Sequence, residues 1–229
     1  MLNTNTRNTL GQLSAINNSM IISYPVTCVI LGKNIQAFLD VSKLGEPEFN
    51  EIGVYNINEL NSVINVIDNP TITDNNGVLN ISNDTSSISY GTSSIDILES
   101  GCRANPELLD RIKTNTNVMS FDLDVKDLDK IKKMSGLLKD LSDLVISTDG
   151  DQIQLTVTSK ERSSNNFSMN IPGEITEAST MSLMMDVVNK LPASGFKVTI
   201  YKSAKGSLVA VFDSTNVDGL SIVLAAKAG

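Results

Sequence analysis

The sequence has no histidine and no tryptophan, and only two cysteines in 229 residues. Without histidine, a Ser-His-Asp or Cys-His relay and an imidazole proton shuttle are excluded. Cys28 and Cys102 have no zinc-finger spacing, and one pair of cysteines makes no disulfide framework. We therefore expect two buried free thiols, no metal and no cofactor.

Long apolar runs are also missing. The longest candidate, Met20–Leu31, is broken by Pro25 and is too short for a membrane-spanning helix. The first residues carry no apolar signal segment behind a basic start. The apolar fraction of 41% is sufficient for a packed core. These features predict a soluble, cytoplasmic protein that is not secreted and has no transmembrane segment.

Basic residues are scarce in the first half of the chain. Residues 1–110 hold 4 Lys and Arg against 12 Asp and Glu, whereas residues 111–229 hold 14 of each. The first half therefore carries the whole net charge of -8. The second half is neutral but densely charged, so a local basic surface is possible there.

What the sequence does contain is an internal repeat. Apolar periodicity predicts four short helices among many strands, and the second pair of helices follows the first by about 120 residues. Each half reads as a strand, a helix and three strands. The predicted helices are Thr6–Asn17, Ile57–Asp68, Val125–Leu141 and Met181–Lys190.

Local signals support the repeat. Asn56 and Asp124 are natural N-caps, and an acid follows each at the third helical position. Asn76-Gly77 and Asp149-Gly150 supply the positive φ that tight hairpins need. The predicted fold class is α+β, with two tandem similar domains of antiparallel sheet and two helices in each. The predicted boundaries are residues 1–92, an interdomain connector at 93–117, and residues 118–229.

Four segments together, in their order along the chain, carry a family resemblance: Glu51–Leu60, the hairpin Asp74–Gly77, Asp127-Leu128 and Lys202–Gly206. In these segments the sequence resembles the sliding clamps, the DNA polymerase processivity factors, and specifically those of T-even bacteriophage type. The resemblance implies the DNA clamp fold, a ring of three chains, and helices that line a hole for duplex DNA.

The helix predicted at Val125–Leu141 carries the main functional signal. Leu128, Ile131, Met134, Leu138 and Leu141 form one stripe, and lysines form another. The alternative interpretation is an ordinary solvated face, balanced by Asp127, Asp129 and Asp140. Lysine suits weak phosphate attraction without base readout. With the resemblance, the predicted DNA-binding residues are Arg7, Lys126, Lys130, Lys132, Lys133, Lys139 and Lys190.

Other motifs have simpler interpretations. Lys202–Gly206 lacks the full phosphate-loop spacing, so we expect a hairpin turn. The aspartates at 122, 124, 127 and 129 lack the glycine and glutamate of a calcium loop, so we expect caps. The methionines at 181, 184 and 185 are expected in the core.

The resemblance also implies partners. These are double-stranded DNA bound without sequence preference, an ATP-dependent clamp loader, and a polymerase whose C-terminal peptide enters an apolar pocket. The matching pocket positions here are Val41, Leu44, Leu98 and Ala225. Subunit contacts in a homotrimer should use exposed strand edges, with Thr85–Tyr90 and Asn165–Ile171 as the predicted pair.

Two other functions compete with a non-enzymatic clamp. A trimeric phage tail or baseplate-like protein would also have repeated β-rich domains and few charges, here 19%. It would not need a concentrated lysine face. An acidic enzyme with paired carboxylates is disfavoured, because no pair occupies a defined site in the pattern. The leading prediction is a phage sliding clamp in the cytoplasm of the infected host cell.

Overall fold

The computed structural model describes residues 2–103, 105–138, 141–149, 151–159 and 165–227. The chain forms two compact units. Unit 1 comprises Met1–Gly32, Gln36–Pro106 and Asp218–Leu220, and unit 2 comprises Lys33–Ile35, Glu107–Val217 and Ser221–Gly229. No helix in the described ranges is both long and apolar enough to cross a membrane.

Unit 1 contains two sheets and a pair of packed helices. Strands run in the order β3-β2-β1-β4 in one sheet and β5-β6-β7 in the other. The third helix, α3, packs on β1, β2 and β4. The elements are α1 Thr4–Leu13, β1 Met20–Ile22, β2 Val26–Leu31, β3 Ile35–Asp40, β4 Ile52–Val54, α2 Ile57–Ile64, β5 Thr71–Asp74, β6 Val78–Ser82, β7 Ser87–Gly91 and α3 Ile95–Cys102.

Unit 2 is built in the same way. Its strands run in the order β12-β8-β14-β15-β16 in one sheet and β11-β10-β9-β13 in the other. The elements are α4 Leu108–Lys113, β8 Thr116–Leu123, α5 Val125–Leu137, β9 Asp143–Asp149, β10 Gln152–Thr158, β11 Phe167–Ile171, β12 Gly173–Ile175, β13 Thr180–Met184, α6 Met185–Val188, β14 Phe196–Lys202, β15 Leu208–Ser214 and β16 Leu220–Ala225.

The order of elements shows which parts repeat. In unit 1 a helix, four strands, a helix and three strands follow one another, and α5 to β16 repeat this order with β12 as an added strand. The sheet order β3-β2-β1-β4 recurs as β11-β10-β9-β13. Helix α1 therefore corresponds to α5, and α2 to α6. The alignment of Asn56 with Asp124 was wrong, because it matched α2 with α5. The same kind of capped helix start also occurs at α1, where the Asn3 side chain accepts the amide of Thr6 at 3.0 Å.

The predicted hairpin turn at Asn76-Gly77 is confirmed, and β9 and β10 pair antiparallel on either side of the second predicted turn, whose Gly150 lies outside the described residues. Asn76 and Gly77 have φ of 52° and 87°, the positive values that a tight two-residue turn requires. Gly206 has φ of 85° in the turn from β14 to β15, where its amide donates to the Ser203 carbonyl at 2.8 Å. Lys202–Gly206 is therefore a hairpin turn and not a phosphate loop.

The predicted helix at Met181–Lys190 was largely wrong. Met181 and Leu183 are buried, their neighbours in β13 are less buried, and β13 pairs with β9 over its whole length. This alternation has the period of a strand, and the ladder outweighs the helix propensity of methionine and leucine. Only Met185–Val188 is helical. The helix predicted to reach Leu141 ends at Leu137, one residue after Gly136.

The predicted connector, residues 93–117, contains α3 and α4, and the two units divide between Pro106 and Glu107. Within unit 1, Leu98 and Cys102 of α3 pack against Ile21. The connector is therefore partly helical. The domain boundaries predicted from the sequence stay a prediction.

The chain that leaves β7 is fixed to β4 by a close backbone approach. Ser93 donates its amide to the Gly53 carbonyl at 2.8 Å, and a Cβ on Gly53 would lie 2.3 Å from the Ser93 oxygen. We expect Gly53→Ala to lower the free energy of unfolding by about 1–3 kcal/mol in urea titrations, because backbone must move. Gly101→Ala is the control, since a Cβ there meets nothing within 4 Å. Equal stability of the two variants would contradict this packing.

Candidate nucleic-acid interface on helix α5

Helix α5 begins at a well-formed cap. The Asp124 side chain accepts the amide of Asp127 at 2.8 Å, which satisfies one of the free donors of the first turn. Leu128 and Ile131 are buried, and α5 packs against β10 and α6. These two contacts fix the rotation of the helix about its axis, so they decide which lysines face outward.

Three lysines lie on the outward face. Lys126, Lys130 and Lys133 are all exposed, and their spacing of four and three residues places them on one stripe. Within the described residues, Lys126 and Lys133 form no ion pair or hydrogen bond through their side chains. Among the described residues, therefore, nothing competes with an external anion for their ammonium groups.

Lys132 has a different role. It is half-buried, and its Nζ donates to the Leu191 carbonyl at 2.6 Å, just beyond α6. Burial lowers the pKa of the Lys132 ammonium, and the nearby Asp129 carboxylate opposes that shift. This lysine connects α5 to the end of α6, and it does not lie on the exposed stripe.

Lys130 touches another element of unit 2. Its Nζ lies 5.6 Å from the ring centroid of Phe167, the first residue of β11, within the range of a cation–π contact. Strand β11 is an edge of its sheet in the described chain. Lys130 therefore lies at the boundary between the lysine stripe and the outer edge of β11.

Two other residues predicted to bind DNA, Arg7 and Lys190, are half-buried rather than exposed. Arg7 is half-buried in α1 and its Nη1 donates to Asn65 Oδ1 at 2.7 Å. Burial lowers the pKa of the Arg7 guanidinium, and Glu46 opposes the shift. Lys190 is half-buried after α6. Lys139 lies outside the described residues.

Unit 1 offers a polar but largely uncharged surface on its helices. The exposed residues of α1 are Thr4, Asn5, Asn8 and Gln12, and α2 exposes the acid Glu59. Gly11 lets the two helices approach closely, because a Cβ there would lie 3.1 Å from Asn61 Nδ2. The basic surface therefore belongs to α5.

The predicted peptide-pocket residues lie in both units. Val41 is buried in a short 3-10 helix and Leu98 is buried in α3, whereas Leu44 is half-buried, and all three belong to unit 1. Ala225 is half-buried at the end of β16, in unit 2. Their role as a pocket stays a prediction.

Unit 1 also contains a cleft that sequence reasoning missed. Its volume is about 310 Å³, and apolar side chains from the turn between β1 and β2 line one wall. Arg103 pairs with Glu51 at its rim, with 2.7 Å between the charged atoms. Burial raises the pKa of the Cys28 thiol in its wall to about 11, which disfavours the nucleophilic thiolate form. In the sequence, the signal that could have indicated this cleft is the apolar run around Pro25. The lining includes Ile21, Tyr24, Pro25, Val26, Cys28 and Pro106.

Both predicted association segments contain edge strands. Strand β7 lies within the predicted segment Thr85–Tyr90 except for its last residue, and it is an edge of the sheet β5-β6-β7. Strand β11 lies within Asn165–Ile171 and is an edge of the sheet β11-β10-β9-β13. An unpaired edge is a template for a strand of another chain.

Comparisons with known proteins give the fold. The crystal structure of proliferating cellular nuclear antigen (PCNA) from Entamoeba histolytica matches with a TM-score of 0.66 and 14% identity, over 97% of this chain and 94% of that chain. The chain has the DNA clamp fold. A structure of the C-terminal region of FEN-1 bound to A. fulgidus PCNA matches with a TM-score of 0.64 and 9% identity, over 97% of this chain and 95% of that one.

The clamp fold confirms the predicted fold class, α+β with two tandem units of antiparallel sheet and helices. No protein-family model and no curated protein matches this sequence. At 14% and 9% identity the likeness establishes the fold. The function has to be argued from residues.

The different environments of Lys132 and Lys133 can be measured. Lys132 has a lowered pKa in the folded protein, so below its usual value of 10.5 the unfolded chain binds more protons. The wild type therefore gains stability from this residue as the pH rises toward that value. In urea titrations from neutral pH to about pH 10, we expect Lys132→Met to become steadily less stable relative to the wild type. Lys133→Met, at an exposed site, is the matched control. Parallel pH curves for the two variants would contradict the assignment.

Proposed function

We propose that this protein is a DNA sliding clamp, a non-enzymatic ring that encircles duplex DNA and tethers a replicative DNA polymerase. The observation that carries the proposal is the exposed lysine stripe on α5, in a chain with the clamp fold and a net charge of -8. A fold alone hosts many functions, so the stripe is the specific part of the argument.

The chemistry of the stripe suits sliding. Lys126 and Lys133 present mobile point charges that attract phosphates through counterion release, without reading bases. Lysine lacks the rigid guanidinium fork that would hold one phosphate or one guanine in a fixed geometry. The contact is therefore weak, exchangeable and independent of DNA sequence, which is what movement along the duplex requires.

Three copies would complete the ring. Joining β7 of one copy to β11 of the next is a head-to-tail contact, and such contacts close into a ring when the rotation between copies permits. The number three comes from the resemblance to T-even phage clamps. A ring of three would present three α5 stripes to the DNA, separated by the weakly charged faces of α1 and α2. Its total charge of -24 follows from the chain charge, so the exterior would repel DNA.

Partner proteins would bind through short peptides. In the A. fulgidus PCNA structure, a C-terminal region of FEN-1 is the bound partner. Here we propose that the C-terminal peptide of a polymerase binds the pocket predicted at Val41, Leu44, Leu98 and Ala225, with an ATP-dependent loader opening the ring. The phage origin and the location in the infected host cell's cytoplasm belong to the same proposal.

A trimeric tail or baseplate-like protein remains the second candidate. It would account for the repeated sheets and for the unpaired strand edges. It gives no reason for three exposed lysines on one face of one helix, in a chain whose first half has 4 basic residues. The lysine stripe therefore favours the clamp.

Binding of duplex DNA of random sequence tests the proposal. We expect Lys126→Glu with Lys133→Glu to weaken binding uniformly across sequences and to lower the salt slope of binding by about 1 for each phosphate that the variant no longer neutralises. Fluorescence anisotropy at several salt concentrations measures both effects. Lys130 is kept unchanged because it touches Phe167.

The control for this experiment changes net charge equally at another site. Lys33 and Lys205 are exposed lysines in the turns after β2 and β14. Lys33→Glu with Lys205→Glu should leave most of the affinity and the salt slope in place. If this pair weakens DNA binding as much as the α5 pair does, the stripe is not the DNA contact.

A further inference from the structure

The two units close the edge of one sheet in the same way. In unit 1 the chain leaves β7, and the Ser93 amide donates to the carbonyl of Gly53, the middle residue of the edge strand β4, at 2.8 Å. In unit 2 the chain leaves β16, and the Lys227 amide donates to the carbonyl of Ser182, the middle residue of β13, at 2.7 Å. Because β13 corresponds to β4 and β16 to β7, this contact belongs to the repeat.

The segment after β16 is attached at three points, and we call residues 225–227 the C-terminal clasp. The Ala225 amide donates to the Asn34 carbonyl at 3.1 Å, and the Lys227 amide donates to β13. The Lys227 ammonium pairs with Asp143 Oδ1 at 2.5 Å. Asp143 is the first residue of β9, the strand that pairs with β13. The clasp therefore joins the end of one sheet of unit 2 to the edge of the other.

The ion pair of the clasp involves a buried carboxylate. The side chain of Asp143 is 3% exposed, whereas that of Lys227 is 29% exposed. The second oxygen of Asp143 accepts the Ser142 hydroxyl at 2.9 Å. A buried carboxylate that loses its cationic partner keeps the cost of desolvation without the compensating attraction. The burial of Asp143 therefore favours the closed clasp.

Unit 1 secures its corresponding contact differently. Helix α3 begins two residues after Ser93 and packs on β1, β2 and β4. In unit 2 the described chain ends at Lys227, and the ion pair with Asp143 secures the contact. The same edge is thus closed by helix packing in one unit and by a charge pair in the other.

We propose that the C-terminal clasp is a cover for the β13 edge that can open, and that the Lys227–Asp143 pair keeps it closed. An unpaired strand edge is a template for a strand of another chain. Among the described contacts, opening at Lys227 breaks one ion pair and one backbone hydrogen bond, so it occurs locally and leaves unit 2 folded. The open form presents the Ser182 carbonyl to an outside strand. This inference does not depend on the proposed function.

Hydrogen exchange tests the clasp. We expect the amide of residue 227 to be protected in the wild type and to exchange about tenfold faster or more in Lys227→Met and in Asp143→Asn. The amides of α5 should keep their wild-type rates, because the opening is local. Mass spectrometry of peptides from residues 220–229 and 125–137 measures both. Lys205→Met, at an exposed lysine in the turn after β14, is the control and should change neither rate.

A double variant covers the case in which an unpaired Asp143 unfolds unit 2. Lys227→Met with Asp143→Asn removes both charges, so it should fold and still exchange faster at residue 227 than the wild type. It should also form larger species than the wild type at equal concentration in sedimentation velocity, because its β13 edge is open.

Three results would overturn the proposal. An unprotected amide at residue 227 in the wild type would show that the clasp is not closed. Unchanged protection in all three variants would show that the charge pair does not hold it. An unchanged size distribution of the double variant, with fast exchange at residue 227, would show that the clasp does not cover an edge open to association.

Discussion

The burial of Leu128 and Ile131 against unit 2 is the constraint on which the proposed DNA contact depends. A helix can bury one face, and its periodicity then determines which residues remain in solvent. With these two side chains in the core, Lys126, Lys130 and Lys133 must face outward, and Lys132 must turn toward α6. A rotation of α5 about its axis would bury lysines that are now exposed. It would also expose Lys132, which now donates to the Leu191 carbonyl.

The same constraint shows why net charge was a poor guide. The chain is acidic, and its whole net charge lies in residues 1–110, whereas α5 belongs to the second half. Charged side chains act over distances near 10 Å at ordinary ionic strength, so a local stripe can attract phosphate despite a negative total. Helices α1 and α2 expose no basic side chain among the described residues, so the attraction is concentrated on α5.

Signals confined to a few neighbouring residues were predicted well from the sequence. The cap at Asp124, the turn at Asn76-Gly77 and the stripe through Leu128 and Ile131 each follow from local geometry. Predictions failed where contacts between residues distant in the chain determine the secondary structure or the environment of a side chain. Residues 181–184 pair with β9 although methionine favours a helix. The Lys132 ammonium donates to the Leu191 carbonyl, 59 residues later in the chain, and this contact removes Lys132 from the exposed stripe. Strands β7 and β11 could be predicted from the sequence, but the contact of Lys130 with Phe167 of β11 joins residues that only the fold brings near.

The mass of the assembled protein in solution tests the central claim most directly. Sedimentation equilibrium of the wild type should give three times the chain mass of 24.6 kDa, and electron microscopy of the same sample should show a closed ring with a central hole. A single species at 24.6 kDa at the highest concentration reached, or an open filament that grows with concentration, would contradict it.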